Sequence, residues 1–180
     1  MGIGNTTASS AICAAITGEP VEKVTGRGEG LDNEQVAHKV KVIKKVLELN
    51  QPDPQDTIDV LAKVGGFEIG GLAGVMLGAA AHHIPVVIDG FISGAAALIA
   101  TGLSNELKNY LIAAHVSAES GHRVLLEYLG LTPLLNLDMR LGEGTGAALG
   151  MAIVEAAVKT LAEMATFSEA SVSQIEERHK

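Results

Sequence analysis

Between positions 70 and 105 the chain carries one formal charge, Asp89. A stretch that apolar has to be buried, in protein or in lipid. A bilayer-spanning helix needs about 20 mostly apolar residues and tolerates a central charge poorly. This one is rich in Gly and Ala, is broken by His82-His83 and Pro85, and holds its carboxylate near the middle. It reads as a buried helix–strand–helix passage: a small-residue helix over 69–81, the β-branched strand Val86-Val87-Ile88, and a helix over 92–101. A second apolar run over 110–114 reads as another buried strand. Continuous apolar strands alternating with helices indicate a parallel α/β architecture. Only two strands are clear, so a sheet built from this chain alone is small, the expected mark of an incomplete portion of a larger domain.

The remaining punctuation is helical. Asn5 or Thr6 can cap a helix through about Ile16, with Gly18 just past its end. Positions 19–30 form a polar, glycine-bearing loop. Asp32 opens a helix to about Leu49, stopped by Asn50-Gln51-Pro52-Asp53-Pro54. Further helices are expected over 57–64, 118–128 and 144–164. The last is apolar almost all round apart from the solvated stripe Glu155, Lys159, Glu163, and needs a core or a partner subunit to cover it. At 180 residues and 18.5 kDa, about two-thirds of the unfolded surface is expected to be buried, leaving roughly 8,000 Å² exposed. The expectation is one domain, 1–180.

Charge and composition exclude several functions. A net charge of −8 with three Phe, two Tyr and no Trp supplies neither the basic field nor the stacking surface of a nucleic-acid binder. The single Cys13 excludes a disulfide framework or a paired-cysteine zinc site. The first residues lack a basic segment and a long apolar core, so no signal peptide is expected and the chain reads as cytoplasmic. His82 and His83 diverge on a helix, and His115 and His122 lack evident ligand partners, so no metal is expected.

A few positions carry possible chemistry. In Leu141-Gly142-Glu143-Gly144-Thr145-Gly146, glycines around one carboxylate let the backbone pass close to a ligand. The helix that follows puts its amide-rich end beside Glu143, where negative charge is stabilised and a proton could be accepted. Equally, Glu143 could only cap that helix. Lys39 is misplaced by geometry. On the helix it occupies, Val36, Val40, Val42, Ile43, Val46, Leu47 and Leu49 cover an arc from about −140° to about +40°, and Lys39 falls inside it at about −60°. It must snorkel to the edge or meet an anion. Asp89 ends a strand, where ligands of open parallel sheets sit, and could touch a sugar or base or cap the next helix. Ser117 occupies the matching place after the second strand, as a cap or phosphate contact. Gly2-Ile3-Gly4 could form a backbone anion nest.

Taken together, Gly2-Ile3-Gly4-Asn5-Thr6-Thr7, Asn50-Gln51-Pro52-Asp53-Pro54, Leu61-Ala62-Lys63-Val64-Gly65-Gly66-Phe67-Glu68-Ile69, Gly74-Val75-Met76-Leu77-Gly78, Asp89-Gly90-Phe91 and Met139-Arg140-Leu141-Gly142-Glu143-Gly144-Thr145-Gly146 resemble the nicotinate-nucleotide–dimethylbenzimidazole phosphoribosyltransferase family. The resemblance runs from Gly2 to about Thr166. It implies a Rossmann-like parallel sheet flanked by helices, and a homodimer. It implies transfer of ribose 5-phosphate from nicotinate mononucleotide to dimethylbenzimidazole in cobalamin assembly, without metal or cofactor. By the same resemblance Glu143 is the general base, a role worth roughly 10²–10⁴-fold. Lys39 and the amide of Gly2 meet the phosphate. Ser117 and Leu141, with Gly142 and Gly144 beside the base, line the nucleotide and base pockets. The family's N-terminal half, with most of its base pocket, has no counterpart here. Two other readings therefore stand: a non-catalytic nucleotide-binding or assembly module that needs a separate N-terminal half, and a phosphoribosyltransferase for another aromatic base.

Overall fold

A computed structural model describes residues 3–28 and 30–171. The local signals for helix ends are used largely as read, except that Asn5 holds the N-cap position of the first helix without a side-chain bond. Helix α1 (Thr6–Thr17) stops at Gly18, whose left-handed backbone lets its N–H reach the Ala14 carbonyl. Helix α3 (Asn33–Asn50) opens with a capping box, Asp32 Oδ1 accepting from the Gln35 amide and Gln35 Oε1 from the Asp32 amide. Between them a single turn, α2 (Val21–Val24), interrupts the expected 19–30 loop just after Pro20. Asp56 caps α4 (Thr57–Val64). Helix α5 (Phe67–Ala81) begins two residues earlier than expected and leads into β1 (Val86–Ile88). Helix α6 (Phe91–Leu103), a 3-10 turn (Asn105–Tyr110), β2 (Leu111–Ala113), α7 (Ser120–Leu129) and α8 (Thr145–Glu163) complete the order. Tyr110, expected in the second strand, belongs to the 3-10 turn.

The two strands pair in parallel, Val86 beside Leu111 and Ile88 beside Ala113. A third extended segment lies on the far side of β2. The Leu134 and Leu135 amides donate to the Ala113 and Ala114 carbonyls, Val116 donates to Leu135, and Ala118 to Met139. Pro133, Asn136 and Asp138 interrupt its apolar pattern, which hid it from periodicity.

The core forms around α6, packed against α1, α4, α5 and α7. Its run from Ala95 to Ala100 is buried throughout, because small side chains admit neighbouring helices close to the axis. Ile12, Ile69, Ile88, Leu98, Ile99 and Leu125 are sealed from solvent, each contributing about 1.5–3 kcal/mol relative to exposure. On α3 the buried stripe is narrower than expected. Val42 and Leu49 face outward, while Lys39 and Ile43 are buried.

The exposed surface is 11,095 Å², well above the roughly 8,000 Å² of a compact domain of this mass. Part of the excess is α8. Among the described residues it is the one helix long and apolar enough to cross a bilayer. It turns Gly146 and Gly150 onto the sheet and leaves Leu149, Met151, Val158 and Leu161 exposed. The apolar stretch 70–105 is the passage α5–β1–α6 inside the protein.

Candidate functional site

The site is built at the carboxyl edge of the sheet. β1 ends into Asp89 and β2 into His115 and Ser117, and helices α6, α7 and α8 begin close by. Asp89 does not cap α6, whose N-cap is Gly90 without a side-chain bond. It reaches across to α8 instead. Asp89 Oδ2 accepts from the Gly144 amide at 3.2 Å and Oδ1 from the Ala147 amide at 3.0 Å. These are amides that the first helical turn leaves without intrahelical partners. A carboxylate there is favoured by charge as well as by geometry.

That latch decides where Glu143 sits. Glu143 and Gly144 both take left-handed backbone, at φ 60° and 82°, a conformation that strains a residue with a Cβ. Glu143 makes no cap, since Gly144 holds the N-cap position with no side-chain bond. Its side chain is exposed and takes part in no hydrogen bond or ion pair among the described residues. The loop and the β1–α6 turn enclose a cavity of about 440 Å³, lined by Gly142, Glu143 and Gly144 on one side and Asp89, Gly90, Phe91 and Ser93 on another, with Leu72, Val75 and Met76 of α5 closing it. Leu141, just before this loop, is largely exposed and is not among the residues lining the cavity.

Lys39 does not run to the solvent edge, so snorkelling is corrected. It is buried, and Nζ donates to Thr6 Oγ1 at 2.8 Å and to the Gly26 carbonyl at 3.4 Å. Burial lowers its pKa from the usual lysine value, and the charge of Glu119 pulls the other way. The ammonium therefore stands at the N-terminus of α1, beside a second cavity of about 530 Å³ that Lys39 lines with Thr7, Leu31, Glu34, Gln35, His38 and Val42. The Lys39 and Glu143 cavities share no lining residue. Gly2 lies outside the described residues.

A row of polar groups joins the two ends. Glu119 lies against Gly26, where any Cβ would fall 2.1 Å from its Oε2. Ser117 Oγ accepts from the Glu119 amide, and the Ser117 amide donates to His122 Nδ1 at 2.8 Å. His122 is buried, and burial together with neighbouring His115 pushes its pKa down to about 3, so the ring is neutral. His115 meets His122 edge-on, ring centroids 5.9 Å apart, and faces Asp89 at 3.6 Å. Sequence reasoning placed Ser117 here by its position after the second strand but missed Glu119, His115 and His122, the two histidines having been weighed only as metal ligands. The usable signal for His115 was that it, like Ser117, follows β2 as Asp89 follows β1.

A parallel α/β fold whose strand ends carry a latched carboxylate loop beside a cavity, with a buried lysine set apart at the start of α1, has the form of a small-molecule site at a sheet's carboxyl edge. The comparisons make it particular: the family model described as Phosphoribosyltransferase matches residues 1–172, and the chain belongs to that family. The nicotinate-nucleotide–dimethylbenzimidazole phosphoribosyltransferase of Desulforudis audaxviator (strain MP104C) is 67% identical over 97% of this chain and 49% of its own length. That of Desulforamulus reducens is 62% identical over 97% and 50%. The crystal structure of CobT from Thermus thermophilus superposes with a TM-score of 0.91 at 45% identity, over 97% of this chain and 52% of that one. The chain thus spans about half the length of the curated relatives it matches.

Proposed function

We propose that the chain carries the sugar-and-proton-handling half of a phosphoribosyltransferase that moves ribose 5-phosphate from nicotinate mononucleotide to dimethylbenzimidazole, releasing nicotinate, in cobalamin biosynthesis. The observation that carries this reading is the latched Glu143. It is an exposed carboxylate, unpaired among the described residues, on a left-handed loop whose following residues Gly144 and Ala147 are tied to Asp89 at the end of β1, in a chain 67% identical to an enzyme of that name. In this reading Glu143 takes the N–H proton of the incoming benzimidazole as its other ring nitrogen attacks C1′ and nicotinate leaves with the bonding pair. Lys39 has three N–H donors and two protein acceptors, one of them distant. It offers charge to the phosphate, aided by the α1 N-terminus and the Gly2 amide. Gly142 and Gly144 line the base, Ser117 contacts the nucleotide from the end of β2, Leu141 flanks the loop outside the cavity, and Asp89 holds the loop. No metal or cofactor is required, because the pyridinium ring takes the bonding pair and leaves as an uncharged pyridine ring that keeps its carboxylate.

The same reading includes a cytoplasmic location and a homodimer, the dimer supported by the exposed apolar side chains of α8. A non-catalytic nucleotide-binding module is the second reading, favoured by the half-length match. The two are separated by assaying the chain with nicotinate mononucleotide and several aromatic bases, alone and with the complementary half of the Desulforudis relative added. Product containing dimethylbenzimidazole supports transfer. Binding of nicotinate mononucleotide without product in either mixture supports the module.

A further inference from the structure

We propose that His115 is a positioning residue: its imidazole supplies a third donor to Asp89 and thereby fixes the first turn of α8 and the loop carrying Glu143. The effect on turnover rests on the reading of Glu143 as proton acceptor; the positioning does not. His115 is 1% exposed, and among the described residues neither ring nitrogen has a hydrogen-bond partner. An imidazole stripped of water on both nitrogens is expensive to keep as filling. It faces the Asp89 carboxylate, Nε2 lying 3.6 Å from Oδ1. That carboxylate receives one amide on each oxygen and has lone pairs to spare. With the ring proton on Nε2, a closure of about 0.5 Å makes the third bond.

The surroundings leave the ring nowhere else to go. Behind it stands the buried edge of His122, and against it lies Gly146, where an added Cβ would be 2.0 Å from His115 Cδ2 and 2.8 Å from Asp89 Oδ1. The His115 backbone is fixed by the bridge to Leu135. The ring therefore transmits the position of β2 to the helix that aims Glu143.

The test is amide hydrogen exchange in the 180-residue chain, comparing native protein with His115→Phe, which keeps ring volume without a donor, and His115→Gln, which restores one. The Ala147 amide should exchange about tenfold faster in the Phe variant, the loss of one hydrogen bond to a charged group, with Leu98 in α6 unchanged and most protection regained in Gln. Equal protection in native and Phe proteins, or equal loss in Phe and Gln, overturns the proposal. If the chain with its complementary half turns over substrate, His115→Phe should lower kcat about tenfold and leave KM for nicotinate mononucleotide unchanged. A raised KM with native kcat also overturns it. If native protein shows no turnover, the functional reading fails and exchange alone decides the positioning.

Discussion

Replacing Gly146 by Ala sets two effects of known sign against each other. Alanine is the better helix former by about 1 kcal/mol in a helix interior. The added methyl, however, lands 2.0 Å from His115 Cδ2 and 2.5 Å from Nε2, where carbon atoms normally rest about 3.5–4.0 Å apart. Something must move by about 1.5 Å. The imidazole cannot, being enclosed and backed by His122, so the first turn of α8 lifts and strains the Asp89 latch. Overpacking costs about 1–3 kcal/mol, so after the propensity gain Gly146→Ala should lose roughly 0–2 kcal/mol net. Gly74→Ala in α5, with nothing within 4 Å, should gain about 1 kcal/mol from propensity alone. Gly150→Ala, whose Cβ would sit 3.1 Å from Ala114 Cβ, should fall between them. Urea unfolding followed by circular dichroism reads the global change. Exchange of the Ala147 amide reads a loss confined to α8, which should be about tenfold or more in rate. If Gly146→Ala is stabilised as much as Gly74→Ala and Ala147 stays protected, the packing account of the α8 start is wrong.

Two further outcomes follow from the buried groups. The native His122 ring resists protonation down to about pH 3, whereas an unfolded histidine titrates near 6.5. The unfolded chain binds the extra proton between those values, so stability should fall as pH drops below about 6.5. From pH 7 to pH 5 this one group should cost about 2 kcal/mol. His122→Asn, which keeps an acceptor for the Ser117 amide, should shrink the stability difference between those pH values by that amount, and an undiminished difference removes His122 as its source. Burial also pushes the Cys13 thiol up to about 12, so iodoacetamide at pH 8 should label the unfolded chain and spare the native one. Rapid native labelling contradicts the packing of α1 on α7.

How much of this was legible depended on how local each signal was. Capping by Asp32 and Asp56, the stop at Gly18 and the two β-branched or aliphatic strands are decided within a few residues, and the sequence carries them openly. The third extended segment was hidden because backbone pairing, not side-chain pattern, holds 134–139 to β2. Lys39 announced itself by sitting on an apolar arc, but its partners, Thr6 and Gly26, come from 33 and 13 residues away. The Glu143 loop was recognisable from its glycines. What fixes it was not, because Asp89 lies 55 residues upstream of Gly144 and looked like a cap for its own helix. Long-range latches of this kind leave no local periodicity to read.

The central claim is that Glu143 removes the proton of the attacking base. It is tested most directly by the rate of product formation from nicotinate mononucleotide and dimethylbenzimidazole in the chain completed by its relative's other half, native against Glu143→Gln. The account expects the Gln variant to keep its affinity for nicotinate mononucleotide and to lose roughly 10²–10⁴-fold in kcat. Equal rates for the two proteins would contradict it.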